Sequence, residues 1–465
     1  MNTTYSQFIN EEEIARILEQ NQKPTPSKVS YVLSKAKEMK GLDMEDVAVL
    51  TNISDSMQLF ELFETANHIK EKIYGKRLVI FAPLYISNFC SNECTYCSFR
   101  VKNKSIDRRS LTQAEIVQKT EILIREGHKR VLMVASDSYP NQDFQYVIDS
   151  IASIYDAKVG KGDIRRVNVN VAPLDIAEFK LLRDTKIGTY QLFQETYHRE
   201  TYKKVHSSGK KKDYDYRITA LHRAMEAGIE NVGTGVLFGL YNFRFELLAL
   251  MQHIRALETV FGMGPHTISV QRNEPVRGSN AATNLPFAVS DLNYRKIIAI
   301  LRLAVPYTGI IMSTRETADM RRETCALGVS QISAGSHTTA GGITHNLQEE
   351  EGNDCSKGDY RSLDEVVRDV AEMGYIPSFC NSCHRLGRTG LDFMDMAKPG
   401  NIKNHCNPNA ISTFMEYLMD YASYETRLIG EDLIDDVIDS MEGVARERAF
   451  ILLQKVKKGK RDIYC

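Results

Sequence analysis

Three cysteines on one short segment carry the clearest chemical signal in this chain. Cys90, Cys94 and Cys97 follow an apolar, strand-like stretch at 78–86 with the spacing C-x3-C-x2-C. A 4Fe–4S cluster normally takes four cysteine ligands, so three thiolates on one loop leave its fourth iron without a protein ligand. An open metal position is what separates a catalytic centre from a structural one. The segment therefore predicts a cluster that binds a further molecule; a zinc knuckle is the alternative, although zinc sites usually pair two CxxC or HxxxH motifs.

A second group of three cysteines lies near the other end of the chain. Cys380 and Cys383 form a CxxC pair, and Cys406 follows after twenty-two intervening residues. Three thiolates are again too few for a closed site of four cysteines. The residues around the CxxC pair are polar, basic and rich in glycine, which favours a cavity lining. From the spacing alone, a structural zinc completed by His384 or His405 stays open as the alternative.

The composition is that of an ordinary globular protein. The 465 residues are 43% hydrophobic and 26% charged, and the formal net charge of −1 gives no overall field that would attract nucleic acid or anionic lipid. No signal core or membrane-length apolar stretch occurs, and nine cysteines grouped at cluster spacings favour a reducing compartment. We therefore expect a cytoplasmic protein without nucleic-acid or membrane partners. The Lys210-Lys211-Lys212 run is interpreted as a solvated loop.

The hydrophobic pattern divides the chain into three parts. Residues 1–75 form an N-terminal helical extension, with apolar residues at three- and four-residue intervals in 27–40 and 57–74. Residues 76–340 alternate strand and helix, and 341–465 form a C-terminal extension that carries the second cysteine triplet. The last barrel helix is placed at about 362–375, inside that third part.

The middle part has the strand count of an α/β fold of the (β/α)8 TIM-barrel type. An open doubly wound sheet would use the same alternation, but no GxGxxG opens the helix after the first strand, which counts against a Rossmann fold. The predicted strands are 78–86, 130–135, 167–171, 189–193, 232–240, 267–270, 309–313 and 329–333. The predicted helices are 112–127, 144–159, 176–185, 214–228, 245–261, 292–305, 318–328 and 363–373.

Polar residues recur just past the predicted strands, where a barrel places its chemistry. Charged groups at buried strand ends are costly unless they meet ligands or each other, so their recurrence predicts a polar, ligand-binding mouth. Some of them, such as Ser136, Asp137 and Thr314, have helix N-capping as an alternative role. The residues are Ser136, Asp137, Asn170, Gln194, Glu195, Thr196, Gln271, Arg272, Asn273, Ser313, Thr314, Arg315, Glu316, Ser333 and Ser336, the last of which lies outside the residues that the structure describes.

Two further features are weak by themselves. His266 stands at the start of the sixth strand, where a lone histidine is more often structural than a ligand. The glycine-rich run 233–239, which contains Gly235, lets a backbone approach a flat ligand such as adenine closely.

The spacing of the first triplet, with Tyr96 before its last cysteine, resembles the signature of the radical S-adenosylmethionine (radical SAM) superfamily. The resemblance implies a 4Fe–4S cluster whose open iron chelates SAM, and an electron transfer that splits SAM into methionine and a 5′-deoxyadenosyl radical. The combination of CxxxCxxC with a later CxxC-x22-C is similar to the tyrosine lyases that mature FeFe-hydrogenase. This similarity covers nearly the whole chain, including the segments 193–198 and 313–316. The tyrosine lyases of thiamine thiazole synthesis are related but lack the second triplet.

The resemblance implies a reaction in two stages. Hydrogen is abstracted from the amino group of L-tyrosine, and the Cα–Cβ bond breaks to give p-cresol and dehydroglycine. The glycine-derived fragment then becomes carbon monoxide and cyanide at a second, auxiliary cluster, a 4Fe–4S cluster with an extra labile iron (4Fe–5S type). That iron, held in part by His266, leaves as an iron–CO–cyanide precursor of the hydrogenase H-cluster. A flavodoxin or ferredoxin reductant and other hydrogenase maturation proteins are the implied partners.

The resemblance also assigns roles to individual residues. Glu195 looks like the acceptor for the SAM ribose and Arg217 like the partner of the SAM carboxylate, with Tyr96 and Gly235 also at the SAM site. Arg315 is expected to bind the tyrosine carboxylate through a bidentate pair, assisted by Ser333, with Arg321 and Arg322 as rivals. The superfamily usually carries a Gly-Glu-like run that meets the SAM amino group. Here the run is Ala135-Ser136-Asp137-Ser138, so Asp137 takes that role with a shorter reach.

Two other functions stay open. One is a tyrosine lyase of the thiazole-synthesis type, which stops at dehydroglycine and needs no second cluster. The other is a non-catalytic scaffold that carries iron–sulfur clusters to a partner, which would bind clusters without cleaving SAM and would leave the polar strand ends unexplained.

Overall fold

The computed structural model of the chain describes residues 7–139, 143–273, 287–335 and 358–465. The expected boundary between residues 340 and 341 lies outside these ranges. The strands within them are β1 (Arg77–Ser87), β2 (Glu93–Cys94), β3 (Arg130–Ala135), β4 (Lys158–Val159), β5 (Gly162–Asp163), β6 (Arg166–Asn170), β7 (Tyr190–Gln191), β8 (His206–Ser208), β9 (Val232–Phe238), β10 (Thr267–Arg272), β11 (Gly309–Met312), β12 (Gln331–Ser333) and β13 (Ile376–Ser378).

The helices surround these strands and extend beyond them at both ends of the chain. They are α1 (Glu11–Gln20), α2 (Pro26–Ala36), α3 (Met44–Thr51), α4 (Ser56–Tyr74), α5 (Gln113–Glu126), α6 (Gln145–Asp156), α7 (Ile176–Asp184), α8 (Arg199–Val205), α9 (Tyr214–Ile218), α10 (Ala220–Glu226), α11 (Phe243–Phe261), α12 (Asp291–Ala304), α13 (Ala318–Leu327), α14 (Leu363–Glu372), α15 (Ser382–Arg385), α16 (Gly390–Ala397), α17 (Lys403–Asp420), α18 (Tyr424–Asp439) and α19 (Gly443–Lys457).

Eight parallel strands close into a barrel. Their order is β1, β3, β6, β7, β9, β10, β11, β12, and β12 pairs back with β1 through Val79 with Gln331 and Phe81 with Ser333. The predicted (β/α)8 barrel is therefore confirmed, and the closure rules out the open doubly wound sheet. In such a barrel the carboxyl ends of all the strands meet at one face and the amino ends at the other.

Local sequence signals set both ends of α5. Thr112 and Glu115 form a capping box at its start, each side chain bonding the other residue's backbone N–H. Gly127 ends the same helix with a φ of 104°, a left-handed conformation that glycine adopts without strain.

Three local predictions differ from the structure. The helix expected at 214–228 is two helices, α9 and α10, separated at Thr219. The helix expected at 144–159 ends at Asp156, and the chain then turns through Gly160 (φ 57°) into the β4–β5 hairpin. Strand β13 was not predicted; it is three residues long, contains Pro377 and pairs with β1, and so short a strand has no readable periodicity.

The extensions pack onto the barrel. Helix α4 lies against α12 and α13, while α17 lies against β13, α18 and α19. Leu62, Ile69, Ile297 and Phe414 are among the buried residues of the shared core. Among the described residues, no helix has both the length and the apolar character needed to span a membrane.

Candidate active site

A cavity of about 270 Å³ opens at the carboxyl ends of the barrel strands. We call it the upper cavity. Of the residues proposed from the sequence for this end, its lining includes Cys90, Cys94, Cys97, Tyr96, Asp137, Glu195, Arg217, Arg315 and Ser333. Asn170, Gln191, Lys211, Ser269 and Gln271 add further polar groups. The barrel thus brings together residues that are up to about 240 positions apart in the sequence.

The loop that carries the first three cysteines is held from two sides. The Asp137 carboxylate accepts hydrogen bonds from the backbone N–H of Ser91 (2.8 Å), from the Ser91 hydroxyl (2.8 Å) and from Nδ2 of Asn92 (2.6 Å). The Arg108 guanidinium donates to the carbonyls of Asn88 (2.7 Å) and Phe99 (2.9 Å). The three thiols are therefore presented by a loop that is held by hydrogen bonds to the side chains of both Asp137 and Arg108.

The chemistry of these thiols fits a metal cluster. Burial, with a contribution from the Asp137 charge, raises the pKa of Cys90 to about 12, and burial raises the pKa of Cys97 to about 11. Both thiols are thus protonated at neutral pH in the metal-free chain. Metal binding would release these protons and compensate the thiolate charge inside the protein.

Glu195 lines the upper cavity together with the cysteine loop. Its backbone has a φ of 72°, which is uncommon for a residue other than glycine. Its carboxylate accepts a hydrogen bond from Nζ of Lys211 (2.7 Å) and lies 3.5 Å from Nη2 of Arg217. Burial opposes ionisation of this carboxyl, but the charges of Lys211 and Arg217 hold its pKa below the ordinary value. Arg217 itself is fixed by donating from Nε to the carbonyl of Phe193 (3.0 Å).

A second cavity, of about 70 Å³, lies at the amino ends of the strands. We call it the lower cavity. Cys380 follows β13, Cys383 lies in α15 and Cys406 lies in α17, and all three line this cavity together with His266. The thiols of Cys383 and Cys406 are in hydrogen-bond contact, which lowers the pKa of Cys383 to about 7 and raises that of Cys406. The second triplet is therefore a spatial cluster as well as a sequence motif.

The histidines near the second triplet differ in position. His266 lies in the lower cavity with its ring 4.1 Å from that of Phe393, and its Nδ1 is buried without a hydrogen-bond partner. Burial, together with the charges of Arg166 and Arg130, lowers the pKa of His266 to about 3, so its ring is neutral. His384 lines a different cavity, and Nδ1 of His405 contacts Arg448 (3.3 Å). Within the described ranges, no three Cys, His, Asp or Glu side chains are arranged around a single metal ion.

The two cavities share strands but lie at opposite ends of them. Along β3, Arg130 faces the lower cavity, and Leu132 and Val134 face the upper one. Between the ends, Phe81, Leu132 and Ile311 form a small apolar cluster inside the barrel. The chain therefore has two separate cysteine-lined sites in one barrel.

Comparison with known proteins shows which family has this sequence and fold. Residues 84–254 match the radical SAM superfamily, and residues 269–376 match the biotin and thiamin synthesis associated domain. A crystal structure of HydG, described as a maturase of the FeFe-hydrogenase, has 46% sequence identity and a TM-score of 0.94, and the match covers 98% of this chain and all of that one. The chain belongs to the HydG family. The HydG of Carboxydothermus hydrogenoformans is 35% identical with a TM-score of 0.83, covering 97% of this chain and 99% of that one.

A curated relative is more distant. The 2-iminoacetate synthase of Escherichia coli (strain K12) is 26% identical over 362 residues, which cover 78% of this chain and 93% of that protein. The resemblance drawn from the cysteine motifs is therefore confirmed, and the chain is a radical SAM enzyme. Superfamily membership identifies its cofactor as a 4Fe–4S cluster with SAM. The buried thiols of Cys90, Cys94 and Cys97 fit the cluster.

Within this HydG-family site, the position of three arginines bears on substrate binding. Arg315 lines the upper cavity, and Ser333 beside it accepts a hydrogen bond from the backbone N–H of Thr314 (3.0 Å). Arg321 is instead buried in an ion pair with Asp359 and does not line the cavity. Arg322 is half exposed and pairs with Asp369. The geometry favours Arg315 over both rivals.

Gly235 lines neither cavity. It lies in the interior of β9, where an added Cβ would stand 2.7 Å from Cδ1 of Phe193 and 2.8 Å from the carbonyl oxygen of Ser269. The glycine makes room for neighbouring barrel residues. The adenine contact expected here stays a prediction.

Sequence reasoning missed Lys211. The run of three lysines was interpreted as a solvated loop, and Lys210 and Lys212 are indeed exposed. Lys211 turns inward, donates to Glu195 and receives support from Asn92, whose Oδ1 accepts its backbone N–H (2.8 Å). Nothing in the composition of the run distinguishes its middle lysine, because its direction is set by the short 3-10 helix at 210–212.

Proposed function

We propose that this radical SAM tyrosine lyase performs two reactions at the two ends of its barrel. In the upper cavity L-tyrosine is cleaved between Cα and Cβ to p-cresol and a glycine-derived fragment. In the lower cavity that fragment is converted to carbon monoxide and cyanide, which leave on an iron as a precursor of the FeFe-hydrogenase H-cluster. The single observation that carries this proposal is the convergence of Cys380, Cys383, Cys406 and His266 on the lower cavity.

The proposed roles in the upper cavity follow from position. Cys90, Cys94 and Cys97 hold the cluster, and the cluster with SAM supplies the radical that starts cleavage when both are bound. Glu195 and Arg217, already in contact, bind the ribose and the carboxylate of SAM. Tyr96 lines the same cavity, and its hydroxyl lies 2.8 Å from Nε2 of His206.

The part of the upper cavity proposed to bind L-tyrosine carries a positive charge that complements the substrate carboxylate. Arg315 offers a planar pair of donors to the tyrosine carboxylate, and Ser333 adds a hydroxyl next to it. Asp137 is proposed to reach the SAM amino group. Its three hydrogen bonds to Ser91 and Asn92 make support of the cysteine loop a competing role.

The lower cavity is proposed to hold the auxiliary cluster and its labile iron. Soft thiolates suit iron–sulfur clusters and a neutral imidazole suits a further iron, so the three cysteines and His266 supply matching donors. The iron that leaves is cargo rather than a resident cofactor. A zinc site completed by His384 or His405 is less well supported, since neither histidine lines this cavity.

The remaining proposals concern organisation and partners. We divide the chain into 1–75, 76–340 and 341–465, with α14 as the last barrel helix. A flavodoxin or ferredoxin is proposed to deliver electrons, other hydrogenase maturation proteins to accept the product, and the cytoplasm to house the reaction. A lyase that stops at dehydroglycine is the second candidate, supported by the 26% identity to a 2-iminoacetate synthase.

An anaerobic assay of the reconstituted protein with SAM, dithionite and L-tyrosine tests the proposal. p-Cresol is scored by chromatography and carbon monoxide by binding to haemoglobin. Both products together support the two-reaction proposal. p-Cresol without carbon monoxide, in protein with full iron at both sites, would favour the second candidate.

A further inference from the structure

Residues 461–465 run back along helix α17, and we call this segment the clasp. The backbone N–H of Asp462 donates to Oε2 of Glu416 (3.1 Å). About two helical turns earlier in α17, Asn409 contacts Cys465 twice: its Oδ1 accepts the backbone N–H (2.9 Å) and its Nδ2 donates to the carbonyl (3.2 Å). The clasp therefore runs antiparallel to α17, toward the turn that carries the last cysteine of the second triplet.

Helix α15 carries Cys383 and is only four residues long. A helix that short is not stable by its own backbone hydrogen bonds, so contacts with other elements hold it in place. At its last residue, Nη1 of Arg385 lies 2.8 Å from Oδ2 of Asp462 in the clasp. At its first residue, the hydroxyl of Ser382 accepts a hydrogen bond from Nδ2 of Asn409 (2.9 Å). The clasp and α17 therefore contact α15 at both of its ends.

Asp462 connects three parts of the chain through one carboxylate. Besides pairing with Arg385 in α15, it places Oδ1 3.4 Å from Nε of Arg165, the residue directly before β6. Arg165 is itself buried in an ion pair with Glu416 of α17. The backbone of Asp462 has a φ of 54°, a left-handed conformation that aspartate adopts more readily than most residues. The carboxylate thus lies between the barrel, α17 and α15.

Asn409 connects α15 and α17 next to the thiols. It is fully buried and lies one helical turn after Cys406 in α17. The Ser382 hydroxyl to which it donates lies 3.2 Å from Sγ of Cys380. If α15 moved away, the buried Asn409 amide would lose this partner, and an unsatisfied buried polar group is costly. The position of α15 on α17, and with it the spacing of the three thiols, therefore depends on these polar contacts.

We propose that Asp462 and Asn409 are positioning residues that hold α15 against α17 and thereby determine how firmly the second triplet retains its metal. When either contact is lost, α15 separates more often from α17, and Cys380 and Cys383 move away from Cys406. Groups that orient metal ligands without touching the metal contribute strongly to its affinity, so the metal is then bound more weakly. The inference rests on the proposed function for the iron at this site, and it adds residues that control the second reaction selectively.

Hydrogen–deuterium exchange of the metal-free full chain tests the contact itself. The backbone N–H of Leu386 donates to the carbonyl of Ser382 (2.8 Å), so its exchange reports opening of α15. We expect Asp462→Ala to raise the exchange rate of residues 382–388 about fivefold or more, because it removes two partly buried ion pairs. Wild-type exchange of this segment in Asp462→Ala would overturn the proposal.

Metal retention is measured on the anaerobically reconstituted enzyme with a ferrous-iron chelator. We expect Asp462→Ala and Asn409→Ala to release iron from the second site about fivefold faster than wild type or more, with the electron paramagnetic resonance signal of the first cluster unchanged. The ratio of carbon monoxide to p-cresol should fall with the iron, while the rate of p-cresol formation stays the same. Equal iron retention in wild type and both variants, or parallel loss of the first cluster, would contradict the proposal.

Asp439→Ala is the matched control. It removes an exposed ion pair with Arg446 (3.0 Å) that joins α18 to α19, so exchange at 382–388 and iron retention should both equal wild type.

A conservative variant separates the charge of Asp462 from general packing. Asp462→Glu keeps the carboxylate and should restore most of the retention lost in Asp462→Ala; retention as low as in Asp462→Ala would overturn the proposal. This pair of variants decides the outcome even if the variant of the fully buried Asn409 does not fold. Because the exchange is measured without metal, it is independent of whether the enzyme releases carbon monoxide. Failure of the proposed function and failure of this inference are therefore distinguishable.

Discussion

The ammonium group of Lys211 lies 2.7 Å from Oε1 of Glu195, and both residues line the upper cavity. The same lysine is anchored through its backbone N–H to Oδ1 of Asn92 in that loop. The contact therefore ties the cysteine loop to the residue proposed to bind the SAM ribose. It also holds the Glu195 carboxylate in place, at a residue whose φ of 72° is uncommon outside glycine.

Replacing Lys211 should weaken SAM binding. Lys211→Gln removes the charge that holds the Glu195 carboxylate in place, and we expect the KM for SAM to rise about tenfold with a smaller change in kcat. Steady-state p-cresol formation at varied SAM concentration measures both constants. Lys212→Gln, on the exposed side of the same turn, is the matched control and should behave as wild type. Equal behaviour of the two variants would contradict a role for Lys211 in the site.

Asp137 distinguishes support of the loop from contact with SAM. Its carboxylate accepts three hydrogen bonds from Ser91 and Asn92, so Asp137→Ala should loosen the loop and lower the occupancy of the first cluster several-fold. Iron content and the cluster's electron paramagnetic resonance signal report this directly. Ser138→Ala, which removes only a 3.3 Å hydrogen bond to Asp137, should keep the cluster. Full iron with a raised KM for SAM in Asp137→Ala would instead support the SAM amino-group contact.

Arg315 is expected to determine tyrosine binding. Arg315→Gln removes a bidentate, charged partner from the upper cavity, and the KM for L-tyrosine should rise at least about tenfold. Arg322→Gln removes the same charge from a half-exposed ion pair with Asp369 and should change that KM by less than about twofold. A larger effect from Arg322→Gln than from Arg315→Gln would refute the assignment.

Lys70 provides a test of stability at a residue that lines neither the upper nor the lower cavity. It is fully buried, its Nζ has no hydrogen-bond partner, and it lies 3.6 Å from the ring centre of Tyr375. Burial lowers its pKa from 10.5 to about 7. Since the unfolded chain binds the proton more tightly than the folded chain, the native protein gains stability from this group as pH rises between about 7 and 10.5.

Lys70→Met should therefore stabilise the protein most at neutral and lower pH. We expect a gain of about 1–3 kcal/mol near pH 6.5, because an unsatisfied buried polar group costs about that much, and a smaller gain at pH 9.5. Urea unfolding followed by circular dichroism at the two pH values measures the difference. Lys72→Met, an exposed position on the same helix, should change stability by less than about 0.5 kcal/mol. If the gain in unfolding free energy grew with pH, burial of the protonated Lys70 amine would not be the cause of the destabilisation.

Much of the barrel could be predicted because its determinants are local. Strand β3 is apolar along its whole length, and α5 is delimited by the Thr112–Glu115 box and by Gly127, so each was visible in a short window of sequence. The cysteine triplets were equally visible, since their spacing is itself the signal. Closure of β12 onto β1 could be inferred only from the count of eight strands.

The remainder depends on contacts between distant parts of the chain. Arg77, Arg130 and Arg166 each precede an apolar strand, where an arginine is ordinarily solvated, and only the closed barrel brings them to one cavity. The choice of His266 over His384 and His405 likewise depends on how α15 and α17 pack below the strands. The adenine contact expected at Gly235 stays a prediction, because a glycine in sequence does not reveal whether a ligand or a neighbouring side chain occupies its space.

The division of labour between the two cavities is the central claim, and one variant tests it most directly. Cys380, Cys383 and Cys406 are replaced together by serine, and the reconstituted enzyme is assayed anaerobically with SAM, dithionite and L-tyrosine for p-cresol and carbon monoxide. We expect p-cresol formation within about threefold of wild type and no carbon monoxide, because the upper cavity is left unchanged. Loss of both products from a folded variant with an intact first cluster, or continued release of carbon monoxide, would contradict the account.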